Sequence, residues 1–133
     1  WNLVDNHELC YHYLGDFDRE MLKTITSEKN FNKTPVVEIW HNDGDQVLAF
    51  MRGDLLFVFN FSPTRSFTDY GFLIPTGSYS VVLDSDSKDF GGNGLNDDTM
   101  THLTCYDPLY VKDRKEWLKL YLPARTALVL KKN

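Results

Sequence analysis

The fold this sequence predicts is all-β: an antiparallel β-sandwich of about eight strands with a short helical amino-terminal arm. Two observations predict it. From residue 35 onward the apolar residues fall in short runs that alternate in and out, and each run is closed by Pro, Gly, Asn, Asp or Ser. Before about residue 27 the apolar spacing is instead that of a helix.

Asp5-Asn6-His7-Glu8 has the form of a capping box, with Leu9, Tyr13 and Leu14 following on one face. Gly15 is expected to end that helix and Asp16 to cap a second, in which Phe17, Met21, Leu22 and Ile25 form the apolar stripe. Thr24-Ile25-Thr26 weakens this helix and Pro35 closes it, so a boundary is expected between residues 27 and 35. Residues 1–34 are read as a helical arm and 35–133 as the sandwich. Val36 to His41 and Gln46 to Arg52 make a hairpin across Asn42-Asp43-Gly44.

The central element is Asp54 to Phe61. Leu55, Phe57, Phe59 and Phe61 lie on one face and Leu56 and Val58 on the other, which leaves almost no face for water. Such a strand belongs inside its sheet, with one side on the core and the other under a further layer. Ser62-Pro63-Thr64 turns the chain into a strand from Phe67 to Ile74. Pro75-Thr76-Gly77 leads to another at Ser78 to Asp84, with Tyr79, Val81 and Leu83 on one side. The three are expected to form a meander. Ser85 to Thr99 reads as a solvated loop, and Met100 to Tyr110 as holding one more strand. Lys115 to Leu122 has Leu118, Leu120 and Leu122 inward, and Arg125 to Lys131 has Leu128 and Leu130 inward.

With 133 residues the chain is large enough for one core, and a net charge of −5 offers no basic field for nucleic acid or an anionic membrane surface. No apolar run approaches the roughly 18 residues of a spanning helix. Cys10 and Cys105 read as reduced thiols, which favours a cytoplasmic location. The chain opens at Trp1, inside a helical pattern and with no leader, so an excised piece of a longer protein is expected.

FVFNFSPTRSFTDY, GSYSVVLDSDSKDFGG and YLPARTALVL resemble the carboxy-terminal all-β domain of glycogen and starch branching enzymes, members of the α-amylase superfamily, while WNLVDNHELCYHYLGDFDREM resembles the last helical part of that family's catalytic barrel. The resemblance implies a parent that cuts an α-1,4-glucan and rejoins the cut chain through an α-1,6 bond, using a nucleophilic carboxylate and a general acid/base on barrel strands. Those motifs lie upstream of anything present here. The resemblance therefore implies a structural domain packed on its own, missing catalytic barrel, with no catalytic residue and no cofactor in this piece. A stand-alone α-glucan-binding module and a sandwich interaction domain are the alternatives, and the helical arm offers a route to self-association.

The residues by themselves suggest little chemistry. Asp84-Ser85-Asp86-Ser87-Lys88-Asp89 starts like a calcium loop, but Lys88, Asp89 and Leu95 stand where a ligand, a Gly and the bidentate Glu belong, so no metal is assigned and the carboxylates are expected to cap their own turns. His7, His12, His41 and His102 have no metal-ligand spacing, no Gly-x-Ser-x-Gly elbow occurs, and Gly91-Gly92-Asn93-Gly94 is no phosphate cradle. Asn60 fits a glycosylation sequon but lies in the central strand. Trp40, Tyr70, Tyr106, Tyr110 and Trp117 could make a platform for pyranose rings, although aromatics in strands pack mostly on one another. Trp40 and Trp117 are the candidate sugar contacts, with weak or absent affinity expected.

Overall fold

The computed structural model describes residues 10–106 and 115–133. The proposed cap at Asp5 to Glu8, His7 and Tyr110 lie outside the described residues. The first element is one helix, α1, Tyr11–Ser27. It corrects the expectation of two helices broken at Gly15. A glycine inside a helix costs only about 1 kcal/mol, too little to stop it unaided. Asp16 caps nothing, and its carboxylate instead accepts from Arg19 Nη1 at 3.0 Å, one turn on. Along the last turns Thr24, Thr26 and Ser27 donate back to the carbonyls of Glu20, Lys23 and Thr24, and the helix ends there. Leu22, expected on the buried stripe, is exposed.

Nine strands follow among the described residues: β1 Val36–Asn42, β2 Val47–Arg52, β3 Leu55–Asn60, β4 Phe67–Leu73, β5 Ser78–Asp84, β6 Thr101–Leu103, β7 Cys105–Tyr106, β8 Glu116–Leu122 and β9 Thr126–Lys132. They form a large sheet in the order β1-β2-β3-β9-β5-β6 and a small one in the order β4-β8-β7. β3 is thus interior, as its two apolar faces require.

The expected meander is overturned. β3 pairs with β2 and β9, β4 crosses to the small sheet and pairs with β8, and β5 returns to the large sheet beside β9. The first crossing is fixed by Asn60, which is 2% exposed. Its amide donates to the carbonyls of Arg65, Leu122 and Pro123 at 3.0, 3.1 and 3.1 Å, and its carbonyl accepts from the Ser62 amide at 3.0 Å. One side chain ties the exit of β3 to the β8–β9 turn, so the chain passes over the end of the sandwich instead of folding back beside β3. It also leaves the sequon at Asn60 buried.

The main core lies between the sheets. Ala49, Leu56, Val58, Leu128 and Leu130 of the large sheet meet Phe72, Leu118, Leu120 and Leu122 of the small one. β5 departs from simple alternation: its register on β9 shifts between Val81 and Leu83, so Val81 sits opposite Leu130 while Leu83 sits opposite Val129. The extra residue, Val82, forms a bulge that turns Leu83 to the outer face, against the expectation that it shares a face with Tyr79 and Val81. There Leu83 joins Leu55 and Val129 in a second cluster, covered by Phe17 and Met21 of α1 together with Phe31, Phe57 and Phe90. Phe17 meets the Phe90 ring edge-on at 5.3 Å, and Lys131 Nζ lies 2.6 Å from Glu28 Oε1. α1 is therefore the layer under which part of β3's outer face is buried.

Candidate functional site

Two tryptophans singled out by residue type line one cleft at the edge of the sandwich, where β1 of the large sheet and β4 of the small sheet face each other. Its volume is about 520 Å³, and Ile39, Trp40, Asp45, Tyr70, Leu73 and Trp117 are among its walls. Trp40 is opposite Ala49, a core residue, so it stands on the inner side of β1 at the rim, 46% exposed. Its ring is held: Nε1 donates to the Tyr70 hydroxyl at 2.9 Å, and that hydroxyl donates to Asp45 Oδ2 at 3.0 Å. Burial pushes the Tyr70 pKa up; the bond from Trp40 works against this and Asp45 adds to it, so the phenol stays a donor. Trp117 comes from β8, opposite Leu73, and packs over Gly71 of the edge strand. Tyr106 lies on β7 and is not among the lining residues.

β4, like β1 and β5, carries a bulge. Phe67 is opposite Leu122 and Tyr70 opposite Leu120, so Thr68 and Asp69 together stand against Tyr121, which brings Phe67 and Tyr70 onto one face. The extra residue leaves Asp69 at φ 52°, a conformation in which Asp is among the few tolerated side chains. Asp69 lines the cleft, exposed. Neither Asp45 nor Asp69 has a sequence signal as a site residue, because the bulge that brings Asp69 to the cleft follows from pairing with β8, not from local pattern.

The loop after β5 was expected to be solvated, and that is corrected in part. Its carboxylates do cap the loop: Asp84 Oδ1 accepts from the Asp86 amide at 2.9 Å, and Asp86 accepts from the amides of Asn93 and Leu95 at 3.0 and 3.1 Å. Yet Asp84 and Asp86 are buried, because the β5 bulge turns Asp84 to the core face opposite Leu128. The Asp84 carboxyl is pushed up to about 7, first by burial and then by Asp98 and the charge of Asp86, against the Asp86 amide, which lowers it. The glycines serve packing: a Cβ on Gly92 would lie 2.2 Å from the Asp86 carbonyl oxygen, and one on Gly91, at φ 76°, 2.8 Å from the Tyr13 ring of α1. No group of three or more His, Cys, Asp or Glu among the described residues is arranged to hold a metal. No described helix is long and apolar enough to cross a membrane.

Two antiparallel sheets packed face to face, with a helix on the outer face of the larger one and an aromatic cleft at the edge, define an all-β sandwich domain. The chain belongs to the family described as alpha amylase, C-terminal all-beta domain, which matches residues 39–133. It is similar to the 1,4-alpha-glucan-branching enzymes of Emericella nidulans (42% identical over 130 residues, 97% of this chain and 19% of the relative), Dictyostelium discoideum (41% over 138, 99% and 19%) and Saccharomyces cerevisiae (37% over 131, 98% and 18%). The chain thus spans under a fifth of the length of these curated relatives.

Proposed function

We propose that this chain is the carboxy-terminal accessory domain of a cytoplasmic 1,4-α-glucan branching enzyme, and that it packs on that enzyme's catalytic barrel without supplying catalytic residues. In this reading residues 1–34 are the helical tail of the barrel, 35–133 are the accessory domain, and transfer from α-1,4 to α-1,6 linkage is carried by barrel carboxylates outside this chain. The observation that carries it is the outer face of the large sheet. Beyond the part covered by α1 a row of aromatic rings continues: Phe50 stacks on Phe57 at 4.9 Å and on Phe59 at 5.9 Å, and Phe59 stacks on Phe61 at 5.5 Å. Exposure rises along the row to 59% at Phe61. An apolar row continuous with a packed helix–sheet interface is the mark of a larger interface of which α1 supplies a part.

The test has two arms. The purified chain, assayed by iodine staining and reducing ends on amylose, should show no turnover above buffer. Mixed with a branching enzyme lacking this domain, it should associate, and the double change Phe59→Ser with Phe61→Ser should abolish association. Turnover by the chain alone, or no association, overturns the reading; sedimentation of the chain as a dimer through this row would assign the face to a second copy instead.

A further inference from the structure

The cleft between β1 and β4 opens on the side of the large sheet away from α1. Trp40 faces inward with Ala49, whereas α1 covers Leu55, Leu83 and Val129 on the outer face. A partner docked on the outer face therefore leaves the cleft open. The cleft combines three features. Its volume of about 520 Å³ falls in the range of small-ligand sites, about 300–1,000 Å³. One wall is an indole whose orientation is fixed through Tyr70 to Asp45, so no rotamer has to be ordered when something stacks on it. At the lip stands Asp69, held at φ 52° by the bulge, with a carboxylate that has no hydrogen bond or ion pair among the described residues.

A fixed aromatic face beside an unengaged carboxylate suits a ligand that is apolar on one flat side and carries hydroxyl donors around its edge. A pyranose ring has that form: its axial C–H groups present a flat face and its equatorial hydroxyls point outward. A planar heterocycle without adjacent N–H donors would stack but leave the two carboxylate oxygens unpaired. A metal cation would be drawn to Asp69 but would find no second free carboxylate among the described residues of the cleft, because Asp45 is already engaged by Tyr70 and lies 3.7 Å from Arg65 Nη2.

We propose that this cleft is a non-catalytic glucan-holding site, in which one glucose ring of an α-1,4-glucan lies on Trp40, its edge hydroxyls donate to Asp69, and the next ring reaches Trp117. The choice of an α-glucan over another neutral oligosaccharide rests on the branching-enzyme reading, whereas the sugar site itself rests on the geometry. Such a site would keep a chain attached to the domain while its end is worked on elsewhere. Its affinity is weak, because one or two stacked rings barely offset the cost of ordering a flexible chain.

NMR titration of the chain with maltoheptaose tests it, with cellohexaose as the β-linked control. Saturable binding is expected with a dissociation constant of about 1 mM. Trp40→Ala should weaken it about ten-fold and Trp40→Phe, which keeps a ring, much less. Asp69→Gly removes the carboxylate at a backbone position glycine adopts freely, so the fold is kept and a several-fold loss reads the hydroxyl contact. No saturable shift at about ten times the expected constant, or unchanged affinity in Trp40→Ala, overturns the site. Equal affinity for cellohexaose overturns the α-glucan assignment. The turnover and association tests of the branching-enzyme reading do not touch the cleft, so either can fail while the other stands.

Discussion

The two faces of β3 carry similar side chains and end in different environments. On the inner face Leu56, Val58 and Asn60 are all buried between the sheets. On the outer face Leu55 is fully buried under α1, Phe57 and Phe59 are half-buried, and Phe61 is 59% exposed. Apolarity in a strand therefore reports that a layer is required and not how far that layer extends. The inner face is complete within this chain. The outer face grades from covered to bare over a single strand, and the gradient marks where this chain's own cover ends.

The comparison is broken most severely from the inner side. Leu56→Ala should lower the unfolding free energy by about 2–5 kcal/mol in a denaturant melt, since it opens a cavity at the centre of the main core. Asn60→Ala should cost about 1–3 kcal/mol, because it strands buried carbonyls of Leu122 and Pro123 and the Ser62 amide together. On the outer face Phe17→Ala, removing a half-buried ring, should cost roughly 1–2 kcal/mol and raise hydrogen exchange in α1 more than in β3. If Phe17→Ala proved as costly as Leu56→Ala, the two faces would be one cooperative core.

A smaller effect sharpens the inner face near Asp84. Its folded pKa lies at about 7, above the ordinary carboxylate value of 3.8, so the folded state keeps a proton the unfolded chain has already released. That contribution to stability is present below about pH 4 and is lost as pH rises toward 7. Asp84→Asn should therefore match the natural chain near pH 4 and exceed it in denaturation midpoint near pH 7. A constant difference across that range would mean that burial does not raise the Asp84 carboxyl.

Much of this was legible in the sequence. The inward leucines of β8 and β9, the bounds of β5 and the interior place of β3 follow from period-two alternation and turn residues. The sheet each strand joins did not follow: β3, β4 and β5 read alike whether they lie side by side or alternate between sheets, and the buried Asn60 that decides it looks like any polar strand end. The bulges at Val82 and Asp69 were equally hidden, because each is defined by its partner strand. They carried away the facing of Leu83, the burial of Asp84 and the presence of Asp69 in the cleft. Trp40 and Trp117 were named from residue type alone, and tertiary structure brought them to one cleft with Tyr70 while leaving Tyr106 aside.

The account rests on the bare end of the outer face being an interface. Hydroxyl-radical labelling of Phe59 and Phe61, compared between this chain alone and the complex it forms with a branching enzyme lacking this domain, tests that directly. The account predicts strong labelling of Phe61 in the isolated chain and marked protection of both rings in the complex, with Trp40 labelled equally in each. Labelling of Phe61 unchanged by the complex would contradict it.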